Sequence, residues 1–106
     1  MALPIEFGFD SSEPTASGRR QLVQLGLAVT ATELDGQTFL IVGHADPRGD
    51  AAYNNALSKR RADAIRDYLL NETGLSRHRV VAIGVGEAMA GDDAPAAQRK
   101  VEIAAF

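Results

Sequence analysis

The 106-residue sequence contains no cysteine, and this absence removes several kinds of chemistry at once. Without thiols the chain cannot form a disulfide framework, a thiolate-zinc site or a cysteine nucleophile. The absence is compatible with an oxidising or a reducing compartment, so it does not indicate where the protein acts. Hydrophobic content of 45% and charged content of 24% are ordinary for a folded chain, and the length predicts one domain over residues 1–106.

The sequence also lacks any long apolar stretch. No segment approaches the roughly 18 consecutive apolar residues of a membrane-spanning helix, and the N-terminus lacks the basic, apolar and small-residue regions of a signal peptide. We therefore expect no direct membrane insertion by this domain. We interpret Met1 and Ala2 as an expression start or a clipped boundary.

Basic charge and aromatic side chains are both scarce. The net charge is −3, and the chain has four phenylalanines, two tyrosines and no tryptophan. Nucleic-acid binding favours a basic face with aromatic residues that stack on bases. The basic run Lys59-Arg60-Arg61 forms no continuous track, because on a helix Arg61 points away from the other two. These features argue against a nucleic-acid-binding protein.

Apolar alternation and turn residues predict four strands and two helices. In chain order they are a strand over 3–9, a helix from the N-cap Thr15 to about residue 33, a strand over 38–45, a helix over about 50–71, and strands over 79–85 and 99–105. Gly74 is the stop signal just beyond the second helix. Helical connections permit parallel pairing, whereas the short last connection favours an antiparallel neighbour. We therefore predict an α+β fold, with a mixed four-stranded sheet in β-α-β-α-β-β order and both helices packed on one face.

The second predicted helix places an arginine among apolar side chains. Asp46-Pro47-Arg48-Gly49 is typical of a type I turn, and Asp50 is a favourable N-cap for the helix. At about 100° per residue, Arg61 joins the core-facing stripe, with Asn54 above it. The predicted stripe contains Leu57, Tyr53, Ala64, Ile65 and Tyr68. Because a guanidinium cannot lose its proton on burial, Arg61 must meet a carboxylate, other acceptors or water.

Asp46 is the nearest candidate partner for Arg61, since it follows the strand on which the helix is expected to pack. A carboxylate, a guanidinium and the Asn54 amide in one concavity would match a zwitterion. Asp46 would bind an ammonium group and Arg61 a carboxylate. The residues therefore indicate an amino-acid-binding clamp.

Other interpretations of the same residues stay open. Asp46 could do no more than initiate the turn through backbone hydrogen bonds. Arg61 could form a structural ion pair with Asp46, Asp10 or the C-terminus. His44 and Asp46 could act as an acid–base pair or as metal ligands, although no activated nucleophile and no third ligand stand at a useful spacing.

Several segments of the chain resemble the OmpA-like C-terminal domain family, which includes the peptidoglycan-associated lipoprotein and the flagellar stator B subunit. The matching segments, in register, are Gly43-His44-Ala45-Asp46, Arg48-Gly49, Tyr53-Asn54, Leu57-Ser58 and Arg60-Arg61-Ala62. The resemblance extends to residues 7–10, 79–87 and 98–103, so it covers nearly the whole chain.

The resemblance implies non-catalytic binding of peptidoglycan through the diaminopimelate residue of its stem peptide, which would tether a larger envelope protein to the cell wall. By position, Asp46 would bind the ammonium group and Arg61 the carboxylate of diaminopimelate. The other implied contacts are Asn54, Leu57, Phe9, Asp10 and Arg99. The resemblance implies no cofactor and no metal. It also implies a periplasmic location, with attachment to the outer or inner membrane through a missing N-terminal region.

The sequence departs from the family pattern beside the implied pocket. Gln98-Arg99-Lys100 stands where the family usually has Asn-Arg-Arg, Val85 stands where an aromatic is usual, and the connection over 88–97 is short. These differences leave a second hypothesis, a protein-interaction or structural domain of an envelope assembly that keeps the fold without binding peptidoglycan. An envelope hydrolase built on His44 and Asp46 ranks last. Under the first hypothesis, Arg61→Ala abolishes binding while the domain stays folded.

Overall fold

Four strands and two helices form the domain in the predicted order. The computed structural model describes residues 2–8, 11–31, 36–44, 50–85 and 100–105. The elements are β1 (Ala2–Glu6), α1 (Ala16–Val29), β2 (Phe39–Gly43), α2 (Ala51–Thr73), a 3₁₀ helix (Arg77–Arg79), β3 (Val80–Gly84) and β4 (Lys100–Ala105).

The sheet is mixed, and its strand order is β1-β4-β2-β3. β2 and β3, which are joined through α2, pair in parallel, with Phe39 opposite Val80. β4 pairs antiparallel with both β1 and β2, so the last strand of the chain lies inside the sheet. The predicted α+β class and mixed pairing are confirmed.

Both helices pack on the same face of the sheet and enclose one core. Alternate residues of the strands point into it, as the two-residue period of a strand requires. From the sheet, the buried side chains are Ile5, Phe39, Ile41, Val80, Val101 and Ile103. From the helices, they are Leu22, Leu25, Val29, Ala62, Ile65 and Leu69.

Both helices begin at the predicted N-caps. The Gly18 N–H donates to the Thr15 hydroxyl at 3.0 Å before α1, and the Tyr53 N–H donates to the Asp50 carboxylate at 3.0 Å before α2. Each contact satisfies a backbone donor that the first turn of a helix leaves without an intrahelical partner. The two caps therefore fix where the chain enters each helix.

The helix ends differ from the prediction by a few residues. α1 ends at Val29, because the Thr30 hydroxyl donates to the Gly26 carbonyl at 2.9 Å and Thr30 has left helical geometry. α2 continues to Thr73 and stops at Gly74, whose φ of 71° is left-handed. Gly74 thus ends the helix as its sequence position predicts.

Two further predictions were wrong. β1 ends at Glu6 rather than near residue 9, and Phe7 pairs instead with Pro14 in an isolated bridge. Tyr53 does not lie in the core: it is 44% exposed, and the Arg60 guanidinium lies 5.8 Å from its ring centroid. The first turns of α1 lie beside Ala64, so the start of α2 extends past α1 and leaves Tyr53 uncovered.

Candidate functional site

α2 lies directly against the carboxyl ends of β2 and β3 because two glycines leave room for it. A Cβ on Gly43 would overlap the Ser58 carbonyl, and one on Gly84 would overlap the Lys59 backbone nitrogen. Gly43 and Gly84 are paired across the two parallel strands, and Ser58 is fully buried above them. The next turn of α2 therefore reaches the end of β2.

Arg61 occupies that turn and is buried, with 1% of its surface exposed. Its guanidinium donates to three backbone carbonyls. Nη1 donates to His44 at 2.9 Å, Nε to Ser11 at 2.8 Å and Nη2 to Gly8 at 2.9 Å. The guanidinium carbon also lies 5.5 Å from the Phe7 ring centroid, within the range of a cation–π contact.

These contacts make Arg61 the link between two chain segments. Gly8 and Ser11 flank residues 9–10, and His44 stands just before residues 45–49. The predicted burial of Arg61 is confirmed, and the acceptors in its described contacts are carbonyl oxygens rather than a carboxylate. Hydrogen bonds from a charged donor contribute about 1.5–3 kcal/mol each, so this set offsets much of the cost of burying the charge.

Asn54 and Leu57 share the buried stripe of α2 with Arg61, as predicted. They are 3% and 4% exposed, and they stand two turns and one turn before Arg61. The structure thus brings these three predicted site residues onto one side of α2. The other four, Phe9, Asp10, Asp46 and Arg99, lie outside the described residues. The contact between Asp46 and Arg61 therefore stays a prediction.

His44 has an acidic neighbour that the sequence did not indicate. Its Nε2 lies 3.0 Å from the Glu102 carboxylate, and the histidine is 5% exposed. Glu102 stands opposite Val42 in the β2–β4 ladder, so it lies on the same side of the sheet as His44. This pair offers a structural use for His44 that needs no acid–base or metal role.

The sequence profile of the OmpA family matches residues 6–103. This chain belongs to the OmpA family. The resemblance that its motifs indicated is thereby confirmed, and the match includes both helices and the whole of β2 and β3.

Two curated relatives of this OmpA-family domain are outer-membrane proteins by name. Outer membrane porin F of Pseudomonas aeruginosa is 38% identical over 85 residues, which cover 80% of this chain and 24% of that protein. Outer membrane protein A of Yersinia pseudotuberculosis is 35% identical over 82 residues, covering 77% and 23%. The chain thus spans less than a quarter of the length of either relative.

Solved structures show the same fold. The peptidoglycan-associated lipoprotein of Burkholderia pseudomallei has a TM-score of 0.79 at 27% identity, covering 97% of this chain and 89% of that one. The cell wall anchor of the type VI secretion system of Pseudomonas aeruginosa has a TM-score of 0.74 at 27% identity, covering 96% and 78%. Together with the family, these names indicate a place in the cell envelope.

The described part of the OmpA-family domain holds no metal cluster and no membrane span. No group of three or more His, Asp or Glu side chains within it could hold a metal ion. None of its helices is both long enough and apolar enough to cross a membrane.

Sequence reasoning missed the parts of the site that are made of backbone. Carbonyl oxygens at Gly8 and Ser11 leave no side-chain signal, so no pattern pointed to them as acceptors for Arg61. Gly43 and Gly84 did leave a signal, since each ends a short apolar run. The prediction nevertheless extended the two strands past these glycines, to residues 45 and 85, and it gave no hint that a helix crosses there.

Proposed function

We propose that this OmpA-family domain binds peptidoglycan without catalysis and tethers a larger envelope protein to the cell wall. The observation that carries the proposal is the placement of Arg61. It lies buried at the end of β2, and its three described hydrogen bonds go to Gly8, Ser11 and His44. These three residues adjoin the segments of the sequence that contain Phe9, Asp10 and Asp46. The family resemblance assigns ligand binding to Phe9, Asp10 and Asp46.

In this proposal the ligand is the diaminopimelate residue of the stem peptide. Asp46 binds its ammonium group, and Arg61 attracts its carboxylate. The backbone N–H groups at the start of the 23-residue α2 favour an anion beside its first turn. The remaining contacts come from Asn54, Leu57, Phe9, Asp10 and Arg99.

The expected monovalent affinity is modest. Charge-assisted hydrogen bonds contribute about 1.5–3 kcal/mol each, and ordering and desolvation offset part of that gain. A modest affinity suffices for anchoring, because the wall repeats the same stem peptide and many copies can bind at once.

The decisive test is Asp46→Ala, assayed by co-sedimentation with diaminopimelate-type sacculi. Asp46 belongs to the proposed ligand site, so the variant should lose binding and keep its circular dichroism spectrum. Asp67→Ala is the matched control, since it removes the same charge from an exposed position on α2. Undiminished binding by Asp46→Ala would show that the site is wrong. A wild-type domain that binds no sacculus would favour the interaction-domain hypothesis.

A second measurement tests the choice of diaminopimelate. Lysine-type sacculi present an ammonium group without the neighbouring carboxylate, so the partner proposed for Arg61 is absent. We expect binding at least about tenfold weaker, which corresponds to the loss of about 1.4 kcal/mol. Equal binding to both kinds of sacculus would contradict diaminopimelate recognition and leave wall binding in place.

A further inference from the structure

A groove runs along the seam between α1 and α2, outside the proposed ligand site. It consists of adjoining cavities of 420 and 360 Å³ that share Val23 and Tyr68. Arg19 lines one end, and Glu72 and Thr30 line the other. At 1.5 Å per residue, α1 spans about 16 Å between Arg19 and Thr30. We refer to this feature as the α1–α2 groove.

The edge of the α1–α2 groove is apolar and exposed. Val23 is 55% exposed and Leu27 is 66% exposed, and they stand one helical turn apart on α1. Single exposed apolar side chains are normal on a protein surface, whereas Val23 and Leu27 are neighbours beside a groove and extend its apolar surface. The floor of the groove, where a partner would pack, includes the half-buried side chains of Ala64 and Tyr68.

Gly26 in the middle of α1 also points to close approach by another molecule. A Cβ there would meet Thr73 at 3.9 Å and Tyr68 at 4.0 Å, which are ordinary contacts. The packing of the domain therefore does not require glycine at this position, although glycine disfavours a helix interior. A residue without a side chain beside the groove lets a second backbone come near.

The charges at the two ends are complementary to those of a second, antiparallel copy of this chain. Neither Arg19 nor Glu72 has an oppositely charged group within 4.0 Å among the described residues. A copy related by a two-fold axis across the groove runs in the opposite direction. Its Glu72 end therefore meets the Arg19 end of the first copy, and the complementary pair occurs twice.

We propose that the α1–α2 groove is the interface of a homodimer. The two copies pack antiparallel, each filling the groove of the other with Val23 and Leu27. Arg19 of each copy pairs with Glu72 of the partner subunit. Such a contact is self-complementary and closed, as two-fold dimers require. Because the surface is small, the dimer should be weak and should depend on protein concentration.

Charge reversal provides the test, because a two-fold interface predicts an unusual pattern of rescue. Arg19→Glu places two acidic groups at each end of the interface, and Glu72→Arg places two basic groups there. Each variant alone should dimerise much more weakly than the wild type. An equal mixture of the two should dimerise, since a heterodimer of these variants restores opposite charges at both ends.

Sedimentation velocity over a range of concentrations, at low and high salt, gives the readout. We expect each single variant to raise the dimer dissociation constant at least about tenfold. The mixture should bring it back near the wild-type value, and so should a variant that carries both changes in one chain. Salt should weaken these differences. Arg20→Glu is the control, because it makes the same charge change at the neighbouring exposed position and should leave the dimer intact.

Three results would overturn the proposal. A wild-type protein that stays monomeric at millimolar concentration would remove the dimer. A dimer that tolerates Arg19→Glu as well as Arg20→Glu would place the interface elsewhere. A mixture of the two single variants that fails to dimerise would contradict the two-fold arrangement. Circular dichroism should first show that each variant is folded, so that a loss of dimer is not caused by unfolding.

Discussion

Arg61 brings a permanent positive charge into the interior of the domain. Its buried guanidinium stabilises the fold and also belongs to the proposed ligand site. Its three described hydrogen bonds go to carbonyls on both sides of the fold, two before α1 and one at the end of β2. Removing the guanidinium takes this donor from one buried and two partly buried carbonyls, and unsatisfied groups of that kind are costly. The same residue thus fixes the geometry around the proposed ligand site.

We predict that Arg61→Met, which keeps the length of the side chain, lowers the free energy of unfolding by at least about 3 kcal/mol. Urea denaturation followed by circular dichroism measures the change. Arg60→Met is the control: the neighbouring arginine is exposed, so its loss should cost less than about 1 kcal/mol. Similar midpoints for the two variants would show that the carbonyl contacts of Arg61 do not stabilise the fold.

This prediction revises the use of Arg61 as a probe of binding. The sequence alone suggested that Arg61→Ala would lose the ligand and stay folded. Because Arg61 also anchors the segments around Gly8, Ser11 and His44, loss of binding by that variant would not separate ligand contact from a displaced loop. Asp46→Ala is the sharper test.

For single residues, the sequence predicted which side of a helix a residue occupies better than it predicted which atoms that residue contacts. The helical period placed Arg61, Asn54 and Leu57 on one buried stripe, and the structure agrees. The period failed for Tyr53, because an angle around α2 does not say how far α1 extends along it. The acceptors of Arg61 were beyond prediction, since every residue carries a carbonyl.

Among the secondary-structure elements, the crossing of α2 over β2 and β3 controls the site. Gly43 and Gly84 lie side by side in the sheet, and the buried Ser58 turn of α2 rests on both. Any side chain at either position would lift the helix away from the strands. Arg61, one turn further along, would then lose its reach to the end of β2.

We predict that Gly43→Ala and Gly84→Ala each lower the free energy of unfolding by about 1–3 kcal/mol, because the added methyl group overlaps backbone atoms of α2. Gly26→Ala is the matched control. Its methyl group would meet only ordinary contacts, so this change should raise stability by up to about 1 kcal/mol in dilute protein. A Gly43→Ala domain as stable as the wild type would show that α2 does not need this close approach.

The order of the elements and their starting points could be predicted, whereas their arrangement could not. Thr15 and Asp50 carry the signal for the helix starts within their own side chains. Strand order depends on which strands meet across the sheet, and no local pattern indicated that β4 lies between β1 and β2. For the same reason the contact of His44 with Glu102 was missed.

For the whole molecule, the two proposals together predict a gain in wall binding from dimerisation. A dimer presents two ligand sites to a repetitive polymer, so its apparent affinity should exceed that of one site. We expect Arg19→Glu to weaken binding to intact sacculi at least about tenfold while leaving the affinity for a soluble muropeptide unchanged. Co-sedimentation and isothermal titration calorimetry measure the two quantities. Equal retention of wild type and Arg19→Glu would contradict the link between dimer and wall.

The pairing of β1 with β4 determines how the domain responds to pulling. Ala2 lies opposite Ala104 at the end of the sheet away from Arg61, whereas Glu6 lies opposite Lys100 near it. A tether attached before Ala2 would therefore pull β1 along its own length while the wall holds the other end. Under the proposed wall binding, force in that direction would shear all the β1–β4 hydrogen bonds together instead of peeling them one by one, and the domain would resist traction.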